Sequence, residues 1–456
     1  MRGLKIWFVI LALMGLATTM LSLEPLIDIY DRQMNKPAPG LEKAIVTPED
    51  AALHQSLFIA DLHADTLKWN RDLLARGYAG HVDLPRLREG NVALQVFTMV
   101  TMSPLKMPWS DSVSRHSLNM AAVLAAMQGR PAFSSRGRAL YQINRFKDAV
   151  ERSREDEDAP ELLYIQSAED LRQLVQRRRQ GEAVIGGILG LEGAHWIGGG
   201  NKSDEQVKAE VRELFDAGVR LFAPVHRFDN NLSGSNEGRK RYGLTRHGRV
   251  ALQEAERLGM MIDLAHISQN GLHEAAELLQ QPFVISHTGV KEGCAPPCTL
   301  DRNLSDSDIR HVLRNDGVIG VGFWTRAVGD SPWRIADAME HIMEIAEDMN
   351  LPPARNIAYG SDYDGSVLPL IGVEELNSLT AIMRQRRQPF DEEAIRDIAG
   401  RNSCRAFLQV LPGGTAGTAD TVCATAQGLG PREPRIQTPM SEAPLIGAPL
   451  VQGPAS

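Results

Sequence analysis

Eight short apolar runs, rich in β-branched residues and separated by helix-like segments, constrain this chain more than any other feature. They are FIADLHAD (58–65), VALQVFTMV (92–100), AVIGGILGLEG (183–193), VRLFAPVH (219–226), MMIDLAH (260–266), PFVISH (282–287), GVIGVGFW (317–324) and NIAYGSD (356–362). Helical spacing fills most of the intervals, at 203–217, 246–258, 268–279, 305–314 and 334–349. The fourth of these opens with the capping pattern Ser305-x-x-Asp308. Repeated β-α units with near-continuous apolar strands require a parallel sheet buried on both faces. Eight of them predict an α/β fold of the (β/α)8 TIM-barrel type. A doubly wound sheet is the alternative, but no glycine-rich dinucleotide fingerprint follows the first run. The interval 101–181 is too long for a simple crossover and reads as a helical segment inserted after the second strand, with helices near 112–127 and 136–154. Its charged run at 151–158 reads as a solvated face, and the basic triplet 177–179 as a helix end whose dipole the cations complement.

The two ends differ from this pattern. Arg2 and Lys5 precede an uncharged stretch over 6–23, the form of a signal peptide or signal anchor, so residues 1–24 are expected to direct export. Membrane attachment would follow if this segment stays uncleaved. Residues 25–45 read as a polar linker, 46–410 as the barrel, and 411–456, rich in Pro, Gly, Ala and Thr, as a flexible tail. The net charge of −8 argues against a nucleic-acid partner, because a phosphate backbone selects for a basic face. Four cysteines are too few for a disulfide scaffold and lack zinc-ribbon spacing. Metal chemistry must then come from the 12 histidines and the carboxylates.

Those residues sit in a telling place. The first run ends in His63-Ala64-Asp65, the third in Glu192, the fourth in His226, the fifth in His266, the sixth in His287 and the eighth in Asp362. A lone histidine at a strand end is usually structural. Six runs of eight ending this way are harder to assign to chance, since the C-terminal strand ends of an α/β barrel converge on one mouth. His63 and Asp65, two residues apart on a strand, face the same way. Imidazole with carboxylate and no thiolate suits Zn²⁺ or a similar divalent ion. Three His and two carboxylates exceed what one open site needs, so two ions sharing Glu192 would use them all.

The segments DLHADT, LEGAH, IDLAHIS, ISHTG with DRNLSD downstream, and YGSDYDG, in that order, resemble the membrane dipeptidases, or renal-type dipeptidases. The resemblance runs from about residue 57 to 407 and implies an amidohydrolase-like barrel with two zinc ions per chain. Carried over by motif, it makes His63 and Asp65 ligands of one zinc, Glu192 the bridge, and His266 and His287 ligands of the other. It assigns His226 to contact with the substrate or intermediate, Arg302 to the substrate carboxylate, and Asp362 to proton transfer. The implied activity is hydrolysis of dipeptides, D-residues at the C-terminal position included, by a metal-bridging hydroxide. A homodimer is compatible with the same resemblance.

Each assignment has a competitor. Asp364 rivals Asp362, Arg302 could pair with Asp301 or Asp306, and the sequence around His226 matches the family only loosely. Asp263 reads as supporting His266 from behind, and His81, His195, His247 and His273 as outside the ligand set. The stretch 287–302 is longer than its family counterpart and carries Cys294 and Cys298, which are either a small disulfide or two free thiols. Cys404 reads as core and Cys423 as part of the tail. The competing functions are another binuclear amidohydrolase, acting on a lactone, cyclic amide or phosphoester, and a non-catalytic receptor on the same barrel. The first commonly bridges its metals with a modified lysine, and no run here ends in Lys; the second would be favoured by a lost ligand, and all five are present.

Overall fold

The computed structural model describes residues 25–103, 119–156, 159–294 and 296–429. Nine strands are present among them: β1 Ile59–Ala64, β2 Val92–Val100, β3 Glu161–Tyr164, β4 Val184–Glu192, β5 Leu221–Ala223, β6 Met261–Ile262, β7 Val284–Thr288, β8 Val318–Val321 and β9 Ile357–Tyr359. All pair in parallel, in the order β6-β5-β4-β2-β1-β9-β8-β7, with β3 attached to β4 off this path. The sheet curls until its two ends meet. A bridge joins Asp263 to Val284, and the Leu264 amide donates to the Val284 carbonyl at 2.8 Å. Strands β2 and β4 are buried at every position, as a parallel sheet covered on both faces demands.

The eight apolar runs all supply strands, but several ladders are shorter than the runs. Strands β6 and β9 end at Ile262 and Tyr359, with only single bridges at Asp263 and Tyr363 beyond them, although the runs continue to His266 and Asp362. Both of these residues have left-handed backbone, with φ 63° and 58°, the geometry of a turn. His266 and Asp362 therefore stand on turns beyond their strands, whereas His63, Glu192 and His287 lie within theirs.

Between β2 and β4 lie helices Met120–Met127 and Ser135–Glu155. The helix expected from 112 begins at Met120, and residues 112–118 lie outside the described residues. Strand β3 was not legible, since ELLY is too short to show alternation. Helix Asp306–Arg314 opens with the expected capping box between Ser305 and Asp308.

Both ends of the described chain are more ordered than their composition suggests. Residues 25–34, expected as linker, are helical and bury Ile27 and Asp31 against the body. Residues 411–429, expected as the start of a flexible tail, include helix Ala416–Ala424, which lies on helix Asn402–Val410. A Cys404–Cys423 disulfide joins the two helices, and the Gly428 amide donates to the Ser56 carbonyl at 2.9 Å. A covalent link with small residues at the contact lets a segment poor in large apolar side chains stay packed. Cys294 and Cys298 are also bonded to each other. Among the described residues no helix is long and apolar enough to cross a membrane; the run 6–23 lies outside them.

Candidate metal centre

Glu192, the last residue of β4, lies at the centre of the strand-end residues. Its Oε1 is 3.6 Å from His63 Nε2, 2.9 Å from His266 Nε2 and 3.6 Å from His287 Nε2, and its Oε2 is 3.3 Å from His226 Nε2. His63 Nε2 is 3.4 Å from Asp65 Oδ1 and 3.9 Å from Asp362 Oδ1. His266 and His287 bring their Nε2 atoms within 3.0 Å of each other. One donor atom each from His63, Asp65 and Glu192 falls within 4.8 Å of the others, as it does for Glu192, His226 and His266, and for His63, His287 and Asp362. The structure thus brings all five expected ligands together, with His226 and Asp362 at the same cluster.

Neighbouring groups fix these side chains. Ser286 Oγ lies 2.8 Å from His287 Nδ1 and 3.2 Å from His63 Nδ1, so one hydroxyl orients two rings whose Nε2 atoms face Glu192. The Ser286 amide donates to Asp263 Oδ1, as does that of Ala265, both at 2.9 Å. Asp263 therefore ties the turn that carries His266 to strand β7, and it belongs to none of the donor triads. His226 Nδ1–H donates to the Met102 carbonyl at 2.8 Å, which leaves Nε2 unprotonated towards Glu192. Gly365 needs its lack of a side chain, since a Cβ there would come within 1.9 Å of Asp362 Oδ1.

The charges show what kind of ligand the cluster fits. Burial, with Asp65 adding repulsion, pushes the Glu192 carboxyl up to about 8. Burial likewise raises Asp362 to about 6. Burial opposes charge on His63, but Glu192, Asp65 and Asp362 outweigh it and raise the imidazole to about 10. His226, His266 and His287 lie well below the ordinary histidine value, because of burial and then of nearby cations. Three neutral imidazoles facing crowded carboxylates form a donor set for a cation. Glu192 Oε2 is buried without a hydrogen-bond partner, an acceptor that a metal ion would satisfy.

The competing assignments separate cleanly. Asp364 is fully buried and turned away from the cluster, accepting from Arg71 Nη2 at 2.8 Å, Thr66 Oγ1 at 2.7 Å and the His81 amide at 2.8 Å. Asp301 pairs with Arg241 and Asp306 with His341, leaving Arg302 free to face the cluster. Arg302 Nη1 lies 2.7 Å from both ring nitrogens of His266, and Nη2 donates to the His287 carbonyl at 3.2 Å. His195, His247 and His273 lie elsewhere, bonded or packed against Phe228, the Gly198 carbonyl and Asp308.

Two charged residues at the site went unread in the sequence. Lys68 Nζ reaches Asp65 Oδ2 at 3.0 Å because a 3-10 turn over Thr66–Lys68 folds it back. Its i+3 spacing from Asp65 was the available signal. Glu237 is buried, pairs with Arg227 at 2.9 Å and lies 3.8 Å from His266 Nδ1. Burial opposes its charge, but Arg227 and Arg302 hold its carboxyl down at about 2. A folded-back loop places it there, and no local pattern signals that. The cluster opens into a cavity of about 430 Å³, lined also by Arg302, Trp324, Lys68 and Tyr30.

Fold and site together define a metal-binding protein built on a curled parallel α/β sheet. Residues 49–412 match the membrane dipeptidase family, peptidase family M19, and the chain belongs to that family. An uncharacterized dipeptidase of Schizosaccharomyces pombe is 30% identical over 228 residues, covering 49% of this chain and 53% of that protein. A second from the same yeast is 27% identical over 259 residues, covering 54% and 57%. The chain thus spans little more than half the length of these curated relatives. Among solved structures, the dipeptidase AC, a metallopeptidase of family M19, superposes with a TM-score of 0.58 at 22% identity, over 78% of this chain and 99% of that one. A metallopeptidase from Rhodobacter sphaeroides, liganded with a phosphinate mimic of the dipeptide L-Ala-D-Ala, gives 0.56 at 22% identity, over 78% and 99%. At such identities the likeness establishes the fold.

Proposed function

We propose that this chain is an exported, zinc-dependent dipeptidase whose sheet closes as a (β/α)8 TIM-type barrel, with the helices after β2 as an insertion. The observation that carries the proposal is one buried carboxylate, Glu192, within 3.6 Å of four imidazoles, with Asp65, Asp362 and Arg302 around it. His63 and Asp65 would hold one zinc, His266 and His287 a second, and Glu192 would serve both. Zinc so held supplies a water made acidic near neutral pH and a Lewis acid for the scissile carbonyl.

The chain's own residues do the rest. Asp362 faces the cluster with Oδ1 3.9 Å from His63 Nε2, placed to take a proton from the attacking water and pass it to the leaving amine. His226, with Nδ1–H held by Met102, keeps Nε2 at a fixed place 3.3 Å from Glu192, where it would contact the substrate or intermediate. Arg302, which pairs with no carboxylate among the described residues, would take the free carboxylate of the substrate in a bidentate pair. An anchor at a fixed distance from the reacting centre, in a cavity of about 430 Å³, favours dipeptides over longer chains. The dipeptide mimic in the Rhodobacter sphaeroides relative is in keeping with this. Two disulfides and no free cysteine support the export reading, because such bonds persist in oxidising compartments.

The test is a substrate panel on the purified, zinc-loaded chain: dipeptides with L- or D-residues at the C-terminal position, tripeptides, lactones and cyclic amides. Dipeptides should be cleaved with kcat/KM at least about 100-fold above tripeptides, and Arg302→Ala should remove most of that advantage. Turnover of lactones or cyclic amides with none of dipeptides would refute the proposal.

A further inference from the structure

Residues 25–36 precede the stretch that matches the family, which begins at residue 49. They lie against the two loops that carry Lys68 and Asp362. Asp28 accepts from the Tyr78 hydroxyl at 2.5 Å, and the Arg32 guanidinium lies 4.2 Å over the Tyr78 ring. Three separate connections then run to the Asp362 loop. Asp31 Oδ2 pairs with Arg71 Nε at 3.0 Å, and Arg71 Nη2 holds Asp364 at 2.8 Å. The Lys36 carbonyl lies 2.7 Å from His81 Nε2, whose Nδ1 accepts from the Asp364 amide at 2.9 Å. Asn35 Oδ1 accepts from the Ser366 amide at 3.2 Å, while its Nδ2 donates to Asp31 at 2.6 Å.

The loop so held needs holding. Asp362, Asp364 and Ser366 all have left-handed backbone, with φ 58°, 61° and 64°. Three non-glycine residues in that region within five positions persist only where surrounding contacts over-determine them. The same segment also reaches the cavity. Tyr30, 6.2 Å from the Trp69 ring, and Met34 form a wall of it together with Met120, Val367 and Leu368.

We propose that residues 25–36 are a positioning strap: Asp31, Asn35 and Lys36 set the place of Asp362 through the loop it stands on, and Tyr30 and Met34 make this wall a subsite for an apolar substrate side chain. The positioning role stands on the contacts alone; the subsite rests on the dipeptidase reading. Asp31 and Asn35 touch no reacting group and act only through Arg71, Asp364 and Ser366.

The experiment uses the full chain with Asn35→Ala, Tyr30→Ala and, as a control on the exposed side of the same helix, Ile29→Ala. Hydrogen exchange, zinc content, melting temperature, kcat and KM are measured for each. Asn35→Ala should speed amide exchange within 362–368 by about tenfold or more, because it frees the Ser366 N–H. It should lower kcat about 10- to 100-fold while KM stays within about threefold and zinc content is unchanged, as expected when a catalytic group is misplaced by a fraction of an ångström. Tyr30→Ala should instead change the preference between large and small apolar side chains by about tenfold, mainly through KM. Ile29→Ala should do neither. Unchanged exchange at 362–368 in Asn35→Ala would overturn the strap, whatever the activity. A kcat loss that merely follows the unfolded fraction, or that Ile29→Ala reproduces, would overturn it as well. If the wild type cleaves no dipeptide, the substrate reading and the subsite fail together, and the exchange measurement still decides the strap.

Discussion

Replacing Glu192 by Gln should leave the metal-free chain at least as stable as the wild type and abolish most of its response to zinc. The first half follows from the crowding of carboxylates. Glu192 is buried beside Asp65 and Asp362, and its carboxyl is pushed up to about 8, so at neutral pH the folded state gains from a neutral side chain there. The second half follows from geometry, since Glu192 is the donor common to both expected triads and each would fall from three protein donors to two. At free zinc about 100-fold above Kd, each occupied site stabilises the fold by about 2.7 kcal/mol, or about 5 kcal/mol for two. With an unfolding entropy of roughly 2.1 cal/mol/K per residue, 1 kcal/mol is worth about 1.3 °C in a body of this size. The wild type should gain about 7 °C in Tm on zinc addition, and Glu192→Gln less than about 2 °C. Calorimetry or fluorescence melts with and without zinc, alongside metal analysis of the dialysed proteins, make the comparison. A Glu192→Gln protein that retains two zinc ions and the full Tm gain would refute the shared-carboxylate reasoning, and so would a wild type that does not respond to zinc.

Two further outcomes follow from the same structure. The raised carboxyl groups of Glu192 and Asp362, at about 8 and about 6, mean that the folded metal-free chain holds protons that the unfolded chain releases at ordinary carboxylate values. That contribution to stability is complete below about pH 4, is lost as pH rises towards 8, and reverses in sense with metal bound; zinc uptake at pH 6–7 should therefore release protons, measurable by titration calorimetry in buffers of different ionisation enthalpy, and uptake without proton release would count against it. The Cys404–Cys423 bond closes a loop with a sequence separation of 19, so a double Cys404→Ala, Cys423→Ala variant should lose about 3 kcal/mol in urea unfolding, and a loss below about 1 kcal/mol would show that the terminal helix is held by packing alone.

The sequence by itself determined eight strands of the curled parallel sheet and the side chains that meet at their ends. An apolar run of a buried parallel strand is a local signal, and a polar residue that ends it is marked by contrast with its immediate neighbours. His63, Asp65, Glu192, His226, His266, His287 and Asp362 were legible for that reason, because parallel strands point all their C-terminal ends one way. Strand lengths were less so, since β6 and β9 end at Ile262 and Tyr359 while the apolar pattern runs on to His266 and Asp362. Only the tertiary structure decided that Asp362 and not Asp364 faces the cluster, that Glu237 and Lys68 border it, that Cys404 pairs with Cys423, and that residues 25–36 hold the Asp362 loop. Arg71 and Asp364 are 293 residues apart, and Asn35 and Ser366 are 331 apart. Periodicity reports which way a residue faces within its own element. Which distant group it meets depends on loop paths set by the packing of the whole chain, and no local pattern encodes those.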